Sequence, residues 1–349
     1  MQRWYPPPRT NLRELLMRIF VTGATGFIGR HLVARLLLED VELVCLVRPD
    51  ESQAARAHLK SQRVTIVDGD ILWERERLAE LMRGCTHLVH LAGLYSFFAP
   101  FAAFYAINVL GAQGVMDAAL ICGLRAVHVS SCTAFGRQAG EFDELAPPGP
   151  ALSDYGYSKA LGDERVRALR DSGLRASILY PASVLGAGDD KASGRYLQAV
   201  AEPTWWRGGT GMPMLPLAHR RMTWVHVLDV VDAIWGALCL SEAVGRDYLV
   251  GGGIHDLGEI HDMVARARLG RQTHHKWNFP FDWLLMAVAS VIEPVGRAFK
   301  IEPPWGLTRD QIRTLLQGIE FRAQRAQQEL LAGRPYRPIE EAIREFFAD

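Results

Sequence analysis

Six short apolar runs punctuate the first 180 residues: Arg18 to Thr22, Glu42 to Val47, Val64 to Val67, His87 to Leu91, Ala126 to Ser130 and Ala176 to Tyr180. Each has the length and continuity of a strand covered on both faces. Between them lie longer segments with apolar residues at every third or fourth position, such as Leu78 to Arg83, Phe104 to Cys122 and Tyr157 to Ser172. Strands alternating with helices predict an α/β chain, a doubly wound parallel sheet with helices on both faces.

From about Gly186 the alternation loosens. Glycine, proline and tryptophan crowd Glu202 to Leu217, which reads as loop. Trp224 to Leu240 reads as a strand running into a helix that returns to the main domain, and Asp256 to Asp349 is mainly helical by periodicity. The expected organisation is a main domain over 17–185 and about 222–250. Residues 186–221 and 251–349 would form a smaller, mainly C-terminal substrate lobe, and 1–16 a loose extension. Met17 would make a natural first residue. The ten-residue apolar run Trp283 to Ile292 is shorter than the roughly 20 residues of a bilayer span. It reads as a buried helix, with a shallow membrane-facing helix as the second reading.

Composition narrows the class. The 39 basic and 39 acidic residues balance, and no basic run stands out, so no nucleic-acid partner is expected. Cys45, Cys85, Cys122, Cys132 and Cys239 are scattered without metal-ligand spacing. Neither a disulfide framework nor a metal site is expected, and a cytoplasmic location fits. Residues 1–16 contain Pro6-Pro7-Pro8 and no apolar core of signal-peptide length.

The chemistry begins at Val21-Thr22-Gly23-Ala24-Thr25-Gly26-Phe27-Ile28-Gly29, which follows the first strand and opens onto a helical pattern. In that order a glycine-rich loop binds a dinucleotide pyrophosphate. Gly23 permits the tight turn, Gly26 lets backbone approach phosphate, and Gly29 lets the helix sit close to the strand. Amide groups at the helix start then face the anion.

The Gly-x-x-Gly-x-x-Gly spacing, together with Tyr155-Gly156-Tyr157-Ser158-Lys159, resembles the extended branch of the short-chain dehydrogenase/reductase superfamily. The likeness runs from about Met17 nearly to the C-terminus. It is greatest to dihydroflavonol reductase, 3β-hydroxysteroid dehydrogenase and epimerase/dehydratase-like members. It implies a Rossmann fold that binds NAD or NADP, with Thr25, Phe27 and Ile28 completing the loop's contacts. Arg48, nineteen residues after Gly29, stands where NADP-dependent members place an arginine for the 2′-phosphate, so NADP is expected over NAD. Asp50 lies beyond Pro49, where the chain is expected to have turned away. Asp70 and Ile71 would flank the adenine, and Ala92 and Gly93 would lie beside the cofactor. Asn108 matches a family position, either tying helix to sheet or acting directly. Pro181, Ser183 and Val184 resemble the turn against the nicotinamide, although Tyr180 replaces the arginine that many relatives carry there.

Tyr155 and Lys159 share a helix face one turn apart. An ammonium near a phenol stabilises the phenolate, lowering a pKa ordinarily near 10. Tyr155 could then serve as general acid in carbonyl reduction or base in alcohol oxidation. Tyr157 points to a different face. The family serine lies five residues before a glycine, which selects Ser131, ahead of Gly136, to orient the substrate oxygen. Ser130 reads as structural and Thr133 as a less favoured substitute. Lys159 would also hold the nicotinamide ribose.

The expected reaction interconverts an alcohol with a ketone or aldehyde on a hydrophobic small molecule. Cys132 and Thr133 occupy the places of the Asp-Glu pair of related dehydratases, which disfavours elimination. An epimerase of nucleotide sugars with tightly held NAD is the alternative, weakened by Ser183 where those enzymes carry asparagine. An NADP-sensing regulator would typically have lost Tyr155 or Lys159. Tyr95, Phe97, Phe98 and Phe101, with Trp205, Trp206, Met212, Met214 and Leu215, would wall an apolar pocket. His226 reads as a packed histidine. Relatives often pair through the two long helices, so a homodimer is a family expectation.

Overall fold

The computed structural model describes residues 17–190, 192–201, 214–215, 217, 219–270, 277–278, 282–299, 301–303 and 308–348. The expectations for 1–16, Trp205, Trp206 and Met212, and for the side chains of Met214 and Leu215, lie outside the described residues. The strands are β1 (Met17–Thr22), β2 (Val41–Val47), β3 (Val64–Asp68), β4 (His87–His90), β5 (Arg125–Val129), β6 (Arg175–Pro181), β7 (Ser183–Leu185), β8 (Met214–Leu215), β9 (Arg221–His226), β10 (Asp247–Val250), β11 (Gly253–Asp256) and β12 (Trp277–Asn278).

The main sheet runs β10-β6-β5-β4-β1-β2-β3, with every neighbouring pair parallel. This is the doubly wound parallel sheet that the alternating pattern predicts. Its order reverses beside β1, whose neighbours are β2 and β4. At such a switch point the loops leave the strand ends in opposite directions, and a crevice opens above the carboxyl ends. Helices Arg75–Met82, Phe101–Ile121 and Asp154–Asp171 pack side by side in one layer, and Phe27–Leu36 packs on Val227–Cys239 in the other. Phe101–Ile121 is long and apolar enough to cross a membrane, but it packs between the helices on either side of it and is half buried. Among the described residues, Trp235, Tyr180, Tyr248, Phe20 and Phe104 are the largest fully buried side chains. A second core around Leu185, Trp224, Leu257, Ile260 and Ile343 lies under the smaller sheet.

Two expectations need correction. The strand beginning Trp224–Leu240 does not enter the main sheet. Arg221–His226 lies between β7, which is parallel to it, and β11, which is antiparallel. The place beside β6 is taken by Asp247–Val250, so only the helix Val227–Cys239 returns to the main domain. The apolar run Trp283 to Ile292 belongs to helix Asp282–Phe299, and it is not buried: Trp283 is 66% and Val291 68% exposed. Leu284, Val288, Val291, Val295 and Phe299 form one outward stripe. The inward face is made instead by Ala289, Gly296 and the buried carboxylate of Glu293, which accepts hydrogen bonds from Arg297 and Arg309.

Candidate active site

The glycine loop turns at the carboxyl end of β1. Gly23 has φ of 72°, and a Cβ there would stand 2.6 Å from the backbone nitrogen of Ala92 at the end of β4. Gly26 caps helix Phe27–Leu36 without any side-chain cap, which leaves first-turn amides free to meet an anion. Gly29 sits where a Cβ would fall 2.1 Å from the carbonyl oxygen of Gly23, so its close approach is to the loop itself rather than to the strand. Gly26 N–H donates to that same oxygen at 3.1 Å.

A cavity of about 300 Å³ opens here. Gly23, Gly26, Phe27, Ile28, Gly29 and Gly93 line one side, and Pro181, Ser183 and Val184 another. Ser131, Tyr155 and Lys159 line it between them. The wall beyond is apolar and aromatic, with Tyr95, Phe97, Met222, Trp224 and Leu257. Neither Met222 nor Leu257 stands out in the sequence, because their strand and helix reach the cavity only through the smaller sheet.

Thr25, Arg48, Asp70, Ile71 and Ala92 fall outside this lining. Asp70 Oδ1 accepts the Leu72 amide at 2.9 Å, holding its own turn, and Ile71 packs against Gly111. Ala92 N–H donates to Thr22 Oγ1 at 3.3 Å. Arg48 is exposed at the end of β2, and here the expectation for Asp50 fails. The turn closed by Glu51 N–H on Arg48 carbonyl (3.1 Å) folds the acids back, with Asp50 at 3.7 Å and Glu51 at 3.5 Å from the guanidinium. Glu51 also accepts from Thr25 Oγ1 at 3.3 Å, which ties the end of β2 to the glycine loop.

Helix Asp154–Asp171 is capped by Ser153, whose hydroxyl accepts from Gly156 N–H at 3.0 Å, so Tyr155 lies in the first turn. Gly156 lets that turn dock tightly, since a Cβ would come 2.7 Å from Thr133 carbonyl oxygen. The Tyr155 ring lies edge-on to Tyr95 (4.9 Å between centroids) and tilted against Phe104 (6.3 Å). Tyr157 faces away, stacked on Phe101 at 5.7 Å. Ser131 Oγ pairs with Thr133 Oγ1 at 2.8 Å, and Ser130 Oγ donates instead to the buried carboxylate of Asp163 at 2.8 Å. Asn108, in a π-helical stretch, ties two elements: its Oδ1 accepts from Leu94 N–H and its Nδ2 donates to Leu94 carbonyl and Ser158 Oγ. His226 is fully buried, Nδ1 accepting from Leu228 N–H at 3.1 Å.

The electrostatics depart from the expectation of a lowered tyrosine pKa. Burial raises the Tyr155 phenol above its ordinary value, and a hydrogen bond with Ser131 only partly offsets this. Lys159 Nζ donates to Val129 carbonyl at 3.0 Å, and burial lowers its pKa while Asp163 opposes the fall. Burial pushes the Cys132 thiol up to about 12, which leaves it inert beside the site.

The family model for the NAD dependent epimerase/dehydratase family matches residues 19–251. A ketoreductase of Stigmatella aurantiaca acting on a farnesylated dihydroquinoline oxide is 33% identical over 55% of this chain and 58% of its own length. A ceramide reductase of Caulobacter vibrioides is 31% identical over 65% of this chain and 62% of its own length. The chain thus spans about three fifths of these two relatives. A putative dihydroflavonol 4-reductase of Synechocystis is 27% identical over 93% of this chain and 92% of its length. Among solved structures, gox2253 superimposes with a TM-score of 0.75, 27% identity and coverage of 95% of this chain and 96% of that one. The UDP-glucuronic acid 4-epimerase of Bacillus cereus, solved with UDP-glucuronic acid and NAD, shares the fold with a TM-score of 0.71 at 18% identity, over 95% of this chain and 98% of its own. With a glycine loop, a switch-point crevice and a match over 19–251, the chain belongs to the NAD-dependent epimerase/dehydratase family and has the fold of the extended short-chain dehydrogenases/reductases.

Proposed function

We propose that this chain is an NADP(H)-dependent reductase of a ketone or aldehyde carried on an apolar small molecule. The observation that carries this reading is a protonated, half-buried phenol at Tyr155 that lines, with Ser131 and Lys159, a cavity with an aromatic far wall. Relatives described as reducing a farnesylated quinoline and a ceramide support an apolar substrate. The residues present fit a dinucleotide. The uncapped helix start offers amide donors, and Gly23 and Gly29 leave no room for a side chain where loop, strand and helix converge.

When bound, the cofactor supplies the hydride to the carbonyl carbon. Tyr155 delivers the proton to the carbonyl oxygen, and Ser131 Oγ–H hydrogen-bonds the same oxygen, fixing it for transfer. Lys159 would hold the nicotinamide ribose through its ammonium. First-turn amides of helix Phe27–Leu36 would face the pyrophosphate. Arg48 would pair with the 2′-phosphate in place of its two carboxylate neighbours. The aromatic wall binds the hydrophobic skeleton and excludes water. The direct test is NADPH oxidation with a panel of apolar carbonyl compounds; wild-type chain inert towards all of them would overturn the reading.

Two further outcomes follow. Arg48→Ala should raise KM for NADPH by about 10–100-fold, the scale of a charge-assisted hydrogen bond, and hardly change KM for NADH. Steady-state kinetics with both cofactors check this, and equal effects would remove Arg48 from phosphate recognition. The pH profile has a definite sign. Reduction needs the phenol protonated, and burial raises its pKa, so the protonated form persists through neutrality. The rate of reduction should therefore be flat from about pH 6 to about pH 9 and fall only as the phenol ionises, while alcohol oxidation climbs over the same range.

A further inference from the structure

Beneath the cavity floor lies a buried set of ionisable groups that the reduction does not use. Asp163 follows Lys159 by one helical turn and is 1% exposed. One carboxylate oxygen accepts from Ser130 Oγ at 2.8 Å, and the other has His128 Nε2 at 3.2 Å without a well-directed hydrogen bond. His128 stacks on His90 with 5.4 Å between centroids, and His90 Nδ1 pairs with Thr22 Oγ1 at 2.7 Å. Burial holds both imidazoles well below their ordinary pKa, so both are neutral.

We propose that Asp163 is a positioning residue, the buried counter-charge that keeps Lys159 an ammonium within the cavity wall. The proposal rests on the reading of Lys159 as the cationic donor to the cofactor. It follows from a count of which charges are already taken. Arg167, one turn beyond Asp163, donates to Asp247 at 2.9 Å and to Tyr180 Oη at 2.6 Å, and Arg170 donates to Asp247 at 2.7 Å. Asp247 on β10 is therefore matched to two arginines. From β4, β5 and the residue that follows β5, the groups facing Asp163 and Lys159 are His90, His128 and Ser130, all neutral. From β6 it is Tyr180, whose phenol is held protonated by burial. Asp163 is thus the anion left to Lys159.

The two charges do not touch: no ion pair within 4.0 Å joins them, and Lys159 Nζ donates to Val129 carbonyl. Their attraction acts through a poorly screened interior, where a few ångströms of separation still matter. A buried acid meeting only a serine and a neutral histidine is otherwise costly, and an apolar or amide side chain would be cheaper there. Burial lifts the Asp163 carboxyl to about 7, with Lys159 pulling against it. The anion therefore forms as pH rises through neutrality, and it opposes the loss of the lysine proton that burial favours.

Two measurements on the full chain test this. The chain contains five lysines, so 13Cε-lysine labelling gives few resonances, and the one lost in Lys159→Met is assigned. In the wild type the Lys159 signal should hold its ammonium position once Asp163 has ionised. In Asp163→Asn its titration midpoint should fall by about one unit or more. An unchanged midpoint would overturn the proposal. If Asp163→Asn folds poorly, urea unfolding of Lys159→Met, Asp163→Asn and the double variant decides. Each single change strands one charge, so the double variant should have a higher urea midpoint than either single. Additive losses would overturn the pairing. Neither readout depends on catalysis, so a chain inert with NADPH on every carbonyl compound would sink the reductase reading and leave this one standing.

Discussion

Tyr155→Phe should lower NADPH-dependent carbonyl reduction by about 10²–10⁴-fold, the contribution of a positioned general acid. Cofactor affinity and thermal midpoint should stay near those of the wild type. The phenyl ring keeps the contacts with Tyr95 and Phe104, so the wall of the cavity is preserved and only the proton donor is lost. Tyr157→Phe is the matched control. Tyr157 stacks on Phe101 outside the cavity lining, so its hydroxyl has no path to the reacting oxygen. Stopped-flow or steady-state oxidation of NADPH with one good substrate separates the two. Equal rates for Tyr155→Phe and wild type would remove Tyr155 from the chemistry, and a large loss in Tyr157→Phe would reassign it.

Much of this architecture is legible without coordinates, for a physical reason. Parallel strands covered on both faces are continuous apolar runs, and six of the seven strands of the main sheet stand within one residue of the runs that predict them. The seventh, Asp247–Val250, is four residues long and opens on an acid that two arginines claim, so it carries little local signal. Arg221–His226 misleads in the opposite way. Its apolar content is that of a central strand, but which sheet it joins is set by partners at Ser183–Leu185 and Gly253–Asp256, far away in sequence. Trp283 to Ile292 misleads because an unbroken apolar run hides a period. Only the recurrence through Leu284, Val288, Val291, Val295 and Phe299 reveals a stripe facing outward.

The site divides along the same line. The glycine loop and the Tyr155/Lys159 pair are local patterns, and they come together in one cavity. Burial is not a local pattern. Spacing alone suggests that Lys159 lowers the pKa of Tyr155, whereas desolvation of the phenol raises it and only the hydrogen bond with Ser131 opposes that rise. The Asp163, His128 and His90 set comes from three elements, and only the four-residue step from Lys159 to Asp163 could have pointed to part of it. Likewise Glu51 becomes relevant only when the turn after β2 brings it to both Arg48 and Thr25.

Gly29→Ala should abolish measurable dinucleotide binding while leaving most of the fold intact. The added methyl would fall 2.1 Å from the carbonyl oxygen of Gly23 and 2.8 Å from Ala24 Cα and carbonyl carbon. All three are backbone atoms, so no side chain can swing aside. Nor can the loop retreat, because Gly23 itself lies with its own Cβ position 2.6 Å from Ala92 nitrogen. The carbonyl that would be displaced is also the acceptor of Gly26 N–H, the bond that sets the turn. The remaining escape is for the first turn of helix Phe27–Leu36 to move outward, which carries its amides away from the anion they would bind. Overpacking of this kind costs about 1–3 kcal/mol of stability, a few degrees in thermal midpoint for a chain of this size. Gly140→Ala is the matched control, since a Cβ there meets nothing within 4 Å. Fluorescence titration with NADPH, paired with thermal melts, reads both effects. A Gly29→Ala chain that melts a few degrees early and still binds NADPH as the wild type does would show that the helix start is not the phosphate site. A chain that melts early and has lost binding, beside an unaltered Gly140→Ala, would tie the recognition of the dinucleotide to that one close approach.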